Sequence, residues 1–120
     1  MNTKLNNKQI MSEKFSLKWN DFGSNASRVF TSHRTSSSFS DVTLISDDLK
    51  PHSAHKIILS ACSEYFSTIL STYSSPNTLV CLPDLRDEEL SQMLDYIYKG
   101  EAQVQKDSID RFLSIAKRFK

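Results

Sequence analysis

The chain has 120 residues, of which 15 are Lys or Arg and 14 are Asp or Glu, giving a net charge of +1. That length builds one hydrophobic core and not two, so a single domain carries the function. The two signs of charge are interspersed, which leaves no basic footprint for a phosphate backbone and argues against direct nucleic-acid binding; no run approaches the roughly 20 apolar residues of a bilayer-crossing helix.

Hydrophobic residues make up only 38%, yet seven Phe, four Tyr and one Trp supply large buried areas per residue. Residues 1–13 show no apolar period and read as a disordered lead-in. At Phe15 strict alternation begins. Phe15, Leu17 and Trp19 fall on one side, Ser16 and Lys18 on the other, which predicts a short strand with one apolar face. Asn20 or Asp21 is placed to cap a helix in which Phe22, Ala26, Val29, Phe30 and His33 recur as a narrow apolar stripe. The hydroxyl-rich run at 31–40 competes with helical hydrogen bonding and reads as helix end plus linker.

A buried strand is predicted at 41–46, followed by a hairpin turn and a second strand at about 49–54. Pro51 inside the second strand implies an edge position or a bulge. Two short helices come next, one over 55–62 and one capped by Ser63, with Phe66, Ile69, Leu70 and Tyr73 at helical spacing. Residues 74–77 form a loop and 78–82 a strand that Pro83 ends. Asp87, Glu88 and Glu89 suit a helix N-terminus. Leu90, Met93, Leu94, Ile97 and Tyr98 then form the clearest amphipathic stripe, stopped by Gly100. A short strand is expected at 102–105, and then a helix capped by Asp107 whose apolar face is Ile109, Phe112, Leu113, Ala116 and Phe119. The sequence stops in a basic helix end without a Gly or Pro terminator, as expected of a segment cut from a longer protein.

Reactive chemistry is sparse. Cys62 and Cys81 lack a CxxC spacing and read as reduced core thiols. His33, His52 and His55 do not share a metal-site spacing and read as structural; no metal or other cofactor is implied. Two glycines, Gly23 and Gly100, are too few for a phosphate-cradling loop, and there is no GxSxG elbow, so an enzyme is the weakest reading.

Three strings, DVTLIS at 41–46, AHKIILSACSEYFSTIL at 54–70 and LSQMLDYIYKGE at 90–101, make residues 39–120 resemble a BTB/POZ domain. The string FSLKWNDF at 15–22 is similar to the start of the tramtrack-type subgroup found in arthropod transcription factors. The resemblance implies an α+β fold, with a small, mostly antiparallel sheet and a cluster of short helices. It also implies a domain-swapped dimer with an extra N-terminal strand. The domain would span 14–120 and be truncated before its last helices. By position, Phe15, Leu17 and Trp19 would form the strand that links dimers, and Phe22, Ala26, Val29 and Phe30 the dimer interface. Asp41 and Lys56 would be a charged pair in a groove near the dimer axis.

The function so implied is self-association, beyond the dimer as well, and recruitment of co-regulator proteins or other BTB domains for a nuclear transcription or chromatin regulator. A substrate adaptor for a cullin-based ubiquitin ligase is the second reading. One departure stands out: the segment from Asp41 to Ala54 is one residue longer than the commonest spacing, with Pro51 and His52 inside it. From the residues alone, the aromatic strand either completes its own core or pairs with another chain, and Asp41 with Lys56 is either structural or a recruiting pair.

Overall fold

A computed structural model describes residues 13–120. Most of the expected lead-in, 1–12, therefore lies outside the described residues, and Glu13 is exposed. The chain runs α1 (Phe22–Ser36), β1 (Val42–Ile45), β2 (Pro51–Ala54), α2 (Lys56–Cys62), α3 (Glu64–Thr72), β3 (Thr78–Cys81), α4 (Asp87–Lys99) and, after a 3₁₀ turn at Lys106–Ser108, α5 (Ile109–Arg118). This is the expected α+β architecture.

The sheet has the order β2-β1-β3. It is evenly mixed: β1 pairs antiparallel with β2, Val42 opposite Ala54 and Ile45 opposite Pro51, and parallel with β3, Val42 opposite Thr78 and Ile45 opposite Cys81. Pro51 sits on an edge strand, where its missing N–H is harmless. The β1–β2 turn is closed by Leu49, whose φ of 61° is unusual for a branched side chain.

The core forms where the inner face of β1 meets α2, α3 and α4. Leu44, Leu59, Phe66, Leu90 and Leu94 are fully buried there. Ser63 Oγ accepts from the Phe66 N–H at 3.2 Å and starts α3. Gly100, at φ 81°, ends α4 in the left-handed conformation that costs other residues most. Aspartates from distant segments cap two helices: Asp41 accepts the Lys56 N–H at 2.7 Å to begin α2, and Asp48 accepts the Asp87 N–H at 3.0 Å to begin α4. The C-terminal helix α5 is clamped to the β3–α4 loop. Arg111 Nε reaches Glu89 at 2.7 Å, Arg118 pairs with Asp84, and the Phe119 ring stacks on Phe66 at 5.5 Å.

Several expectations are corrected. Residues 15–19 are extended and exposed but join no strand of the three-stranded sheet, and 102–105 are not a strand either. Within 15–19 Lys18 makes one isolated β-bridge, and 102–105 pair with no strand among the described residues. Helix α1 ends at Ser36 inside the hydroxyl-rich run, as expected, and its last turn tolerates the hydroxyls because Thr35 and Ser36 turn theirs onto the carbonyls of Thr31 and Ser32, at 3.0 Å each. Asp21 makes no side-chain capping bond, and neither does Asp107; α5 starts from the 3₁₀ turn. The buried face of α5 is Ile115 with Phe119, while Ile109 and Leu113 are exposed. Cys62 and Cys81 are exposed free thiols rather than core residues, since α2 and β3 turn those positions outward.

Candidate functional site

Helix α1 is mounted inside out. No residue of α1 is buried, and it packs against α4 and β2 through polar groups. Ser27 Oγ donates to the Tyr98 carbonyl at 3.0 Å, and the Arg34 guanidinium pairs with Asp95 at 2.8 Å while lying 5.3 Å from the centre of the Tyr98 ring. At about 100° per residue, Phe22, Ala26, Val29, Phe30 and His33 occupy one sector, and Ser27 with Arg34 the neighbouring one that meets α4. The apolar stripe is therefore turned away from the chain's own core: Phe22 is 59% and Phe30 45% exposed, and Ala26 and Val29 are half-buried.

The stripe borders a groove of about 240 Å³ lined by Phe30, His33, Phe39, Asp41, His55 and the isoleucines Ile57 and Ile58. Phe39 and Ile57 are among the most exposed apolar side chains of the molecule. Phe39 holds a positive φ of 60° and sets its ring edge-on to His33 at 5.2 Å. Neither Phe39 nor Ile57 was singled out by periodicity. The signal available was a lone aromatic residue inside a hydroxyl-rich linker.

Asp41 and Lys56 are brought together, but through the backbone. The Asp41 carboxylate holds the Lys56 N–H, and the Lys56 ammonium donates to the Ser75 carbonyl. Among the described residues their side chains form no ion pair with each other. Asp41 and Lys56 are both half-buried; Asp41 lines the groove and caps α2, and the Lys56 ammonium is taken up by the Ser75 carbonyl.

Behind the groove lies a buried polar junction that joins three segments. The backbone N–H of His55 donates to the Tyr98 hydroxyl at 2.9 Å, His55 Nδ1 meets the same hydroxyl at 2.7 Å, and Nε2 faces the Ser38 carbonyl at 2.8 Å. A carbonyl only accepts, so Nε2 carries the proton and Nδ1 accepts from the phenol. Burial pushes the Tyr98 phenol up to about 12, which keeps it a neutral donor. His52 pairs with Asp87 at 2.6 Å across β2 and α4. Both histidines are bonded to groups of the domain itself. His33 packs edge-on against Phe39 in the groove wall.

The arm at 15–19 is separate from this groove. Leu17 and Trp19 are 60% and 49% exposed, and Trp19 touches Phe22 edge-on at 5.3 Å. Among the described residues no helix is long and apolar enough to cross a membrane, and no group of three or more His, Cys, Asp or Glu is placed to hold a metal ion.

The sequence profile of the BTB/POZ domain matches residues 30–120. Among curated proteins, Longitudinals lacking protein-like of Drosophila melanogaster is 38% identical over 108 residues, which cover 90% of this chain and 84% of that protein. Protein tramtrack, alpha isoform, of the same organism is 34% identical over 90% of this chain, and Sex determination protein fruitless 39% over 88%. The chain spans only 13% and 11% of those two longer proteins. Among solved structures, the BTB domain of zebrafish PATZ1 superposes with a TM-score of 0.78 at 20% identity, covering 88% of this chain and 86% of that one. The BTB domain of human gigaxonin superposes with a TM-score of 0.77 at 23% identity, covering 91% and 89%. At those identities the likeness speaks to the fold. The strand order, the profile match across most of the chain and the relatives from Drosophila agree: this chain belongs to the BTB/POZ domain family, with the tramtrack type among its relatives.

Proposed function

We propose that this domain is a non-catalytic interaction module with three surfaces. It pairs with a second copy through α1, links such pairs through residues 15–19, and receives co-regulator proteins in the groove beside Asp41 and Lys56. The setting proposed is a nuclear regulator of transcription or chromatin. The observation that carries this reading is the inverted mounting of α1, whose polar side meets its own core and whose apolar stripe faces outward. Covering Phe22, Val29 and Phe30 is favourable by about 1.5–3 kcal/mol each before ordering costs, and a second α1 is a surface of the right shape and polarity.

The arm supports the second surface. Phe15, Leu17 and Trp19 are exposed, and apart from one β-bridge at Lys18 the segment 15–19 is outside the three-stranded sheet. Residues 102–105 are in the same condition, with Ala102 and Val104 half-buried and Gln103 and Gln105 exposed. Two segments with strand-like alternation, neither of them a strand of the sheet, complement one another across two chains.

Light scattering over a dilution series tests the reading. The intact chain is expected at a mass of two chains or more, and a clean monomer at all concentrations overturns self-association. Deleting residues 1–18 and replacing Trp19 with Ser is expected to leave a folded pair that no longer grows beyond two chains; retention of a larger mass removes the arm from the proposal. Replacing both Val29 and Phe30 with Asp is expected to give insoluble or unfolded protein, because dimers of this kind commonly have no stable monomer.

A further inference from the structure

The three-stranded sheet has two edges, and they are guarded differently. β2 carries Pro51, which has no N–H to offer, and it lies beside α1, with the Ser37 hydroxyl bonded to Ser53 Oγ at 3.1 Å. β3 has none of these devices. Its residues Thr78, Leu79, Val80 and Cys81 are uncharged and free of proline and glycine, and no described strand lies along its outer side.

The direction of its backbone groups follows from its ladder. Thr78 donates its N–H to the Asp41 carbonyl at 3.2 Å, and Leu82 donates to the Ile45 carbonyl at 2.8 Å. Backbone groups alternate sides along a strand, so the even-numbered residues bond to β1, and the N–H and C=O of Leu79 and Cys81 face away from it. The side chains of those same two residues are exposed, Leu79 by 65%.

We propose that the outer edge of β3 is a self-pairing surface that docks antiparallel onto the same edge of a second copy. The reading rests on the self-association proposed above and adds a surface to it. Parity sets the register. Opposite residues of a hydrogen-bonded antiparallel pair exchange both N–H···O bonds, and among the described residues of β3 Leu79 and Cys81 are the two whose N–H and C=O both point outward unbonded. A two-fold axis through Val80 places Leu79 opposite the partner's Cys81 and Cys81 opposite the partner's Leu79, so all the outward groups of both strands are satisfied at once. An axis through Leu79 or Cys81 leaves half of them unpaired. Pro83, at the next outward position, has no N–H and ends the ladder. The strand is uncharged, so two copies meet without like-charge repulsion. Four backbone bonds and two leucines make too small an interface to hold free chains together. The edge therefore couples pairs already gathered by α1, where the local concentration of edges is raised.

Opposite residues of a hydrogen-bonded pair have Cα atoms about 5.5 Å apart, within the reach of a disulfide. The test uses the full chain with Leu79→Cys and Cys62→Ser, under mild oxidation by oxidised glutathione. The expected result is a two-chain band on a non-reducing gel that reverts with reductant, and its loss when Cys81→Ser is added. In a second variant, Leu79→Lys at this exposed position is expected to lower the light-scattering mass at high concentration relative to the unmodified chain. A chain that scatters as a pair yet gives no reducible link, with Leu79→Lys unchanged in mass, overturns self-pairing of the edge and leaves it to solvent or to a strand of another protein; the α1 reading then stands. A chain that is monomeric throughout overturns both.

Discussion

The sheet with α2, α3 and α4 and the arm with α1 use the same kinds of side chain to opposite ends. Phe66 and Phe22 both sit on the apolar stripe of an amphipathic helix, yet Phe66 is 0% and Phe22 59% exposed. Around Phe66 every stripe converges: Leu59, Leu90 and Leu94 share the same interior, and Phe119 stacks on its ring. Phe22 meets the ring of Trp19, itself half-exposed, while the side of α1 that meets α4 is held by a hydroxyl and a guanidinium. An apolar period states that a helix needs a covering surface. It does not state which chain provides that surface.

The largest expected effect breaks the interior. Leu94→Ala is expected to cost about 2–5 kcal/mol, read as a urea midpoint lowered by a similar amount at every protein concentration. Phe22→Ala is the counterpart in the other region, and its midpoint is expected to fall mainly on dilution, because the surface it loses belongs to an association. If both variants lost stability equally at every concentration, the contrast between the two regions would be wrong.

Next in size is the junction behind the groove. Tyr98→Phe removes the acceptor of the buried His55 N–H and the donor to Nδ1, and is expected to cost about 1–3 kcal/mol in the same denaturation experiment. A smaller change sharpens the view that α1 is held by polar contacts. The Arg34–Asp95 pair is only partly exposed, at 16% and 30%, and a double-mutant cycle with both residues replaced by Ala is expected to show a coupling near 1 kcal/mol. A coupling of zero would mean that α1 is oriented by something else.

The smallest effect is an acid one at the α5 clamp. The hydrogen bond from Arg111 holds the Glu89 carboxyl below its usual range, and the one from Arg118 does the same for Asp84. A carboxylate with a depressed folded value contributes stability that is present at neutral pH and is lost as pH falls through that value. The contribution is expected to fade from about pH 4 downward. Both pairs are solvent-screened, so the loss is expected to be under about 1 kcal/mol for each, measured as a shallower acid slope of stability in Arg111→Ala. An unchanged slope would remove the clamp from the account of how α5 is held.

Much of this was legible from local chemistry. The Ser63 cap, the Gly100 stop, the edge position of Pro51 and the stripe of α4 each depend on residues within a turn or two of one another, and each is found where the spacing puts it. Other features were not legible because their partners are remote in sequence. Asp48 caps a helix 39 residues away, and no capping motif spans that distance. In α5 two faces carry apolar residues, and Ile115 rather than Ile109 is buried because Arg111 and Arg118 pin the helix from the side of Asp84 and Glu89. Of the pair the resemblance put in the groove, Asp41 lines it and Lys56 does not, and Phe39 and Ile57 emerged only once the linker and α2 were folded beside α1.

The sequence by itself placed the five helices and the three strands of the sheet in order, because periodicity, caps and breakers act through contacts between near neighbours, while it also expected two strands that did not form; the α+β class came with the family resemblance. It also determined that the segment 15–22 carries more apolar surface than a solvated arm needs. Only the tertiary structure decided that α1 turns its polar sector inward, that residues 15–19 and 102–105 add no strand to the three-stranded sheet, and that β3 leaves two residues' backbone groups open among the described residues. Those outcomes depend on which surfaces remain uncovered after the core has closed, a property of the packed chain as a whole and not of any window along it.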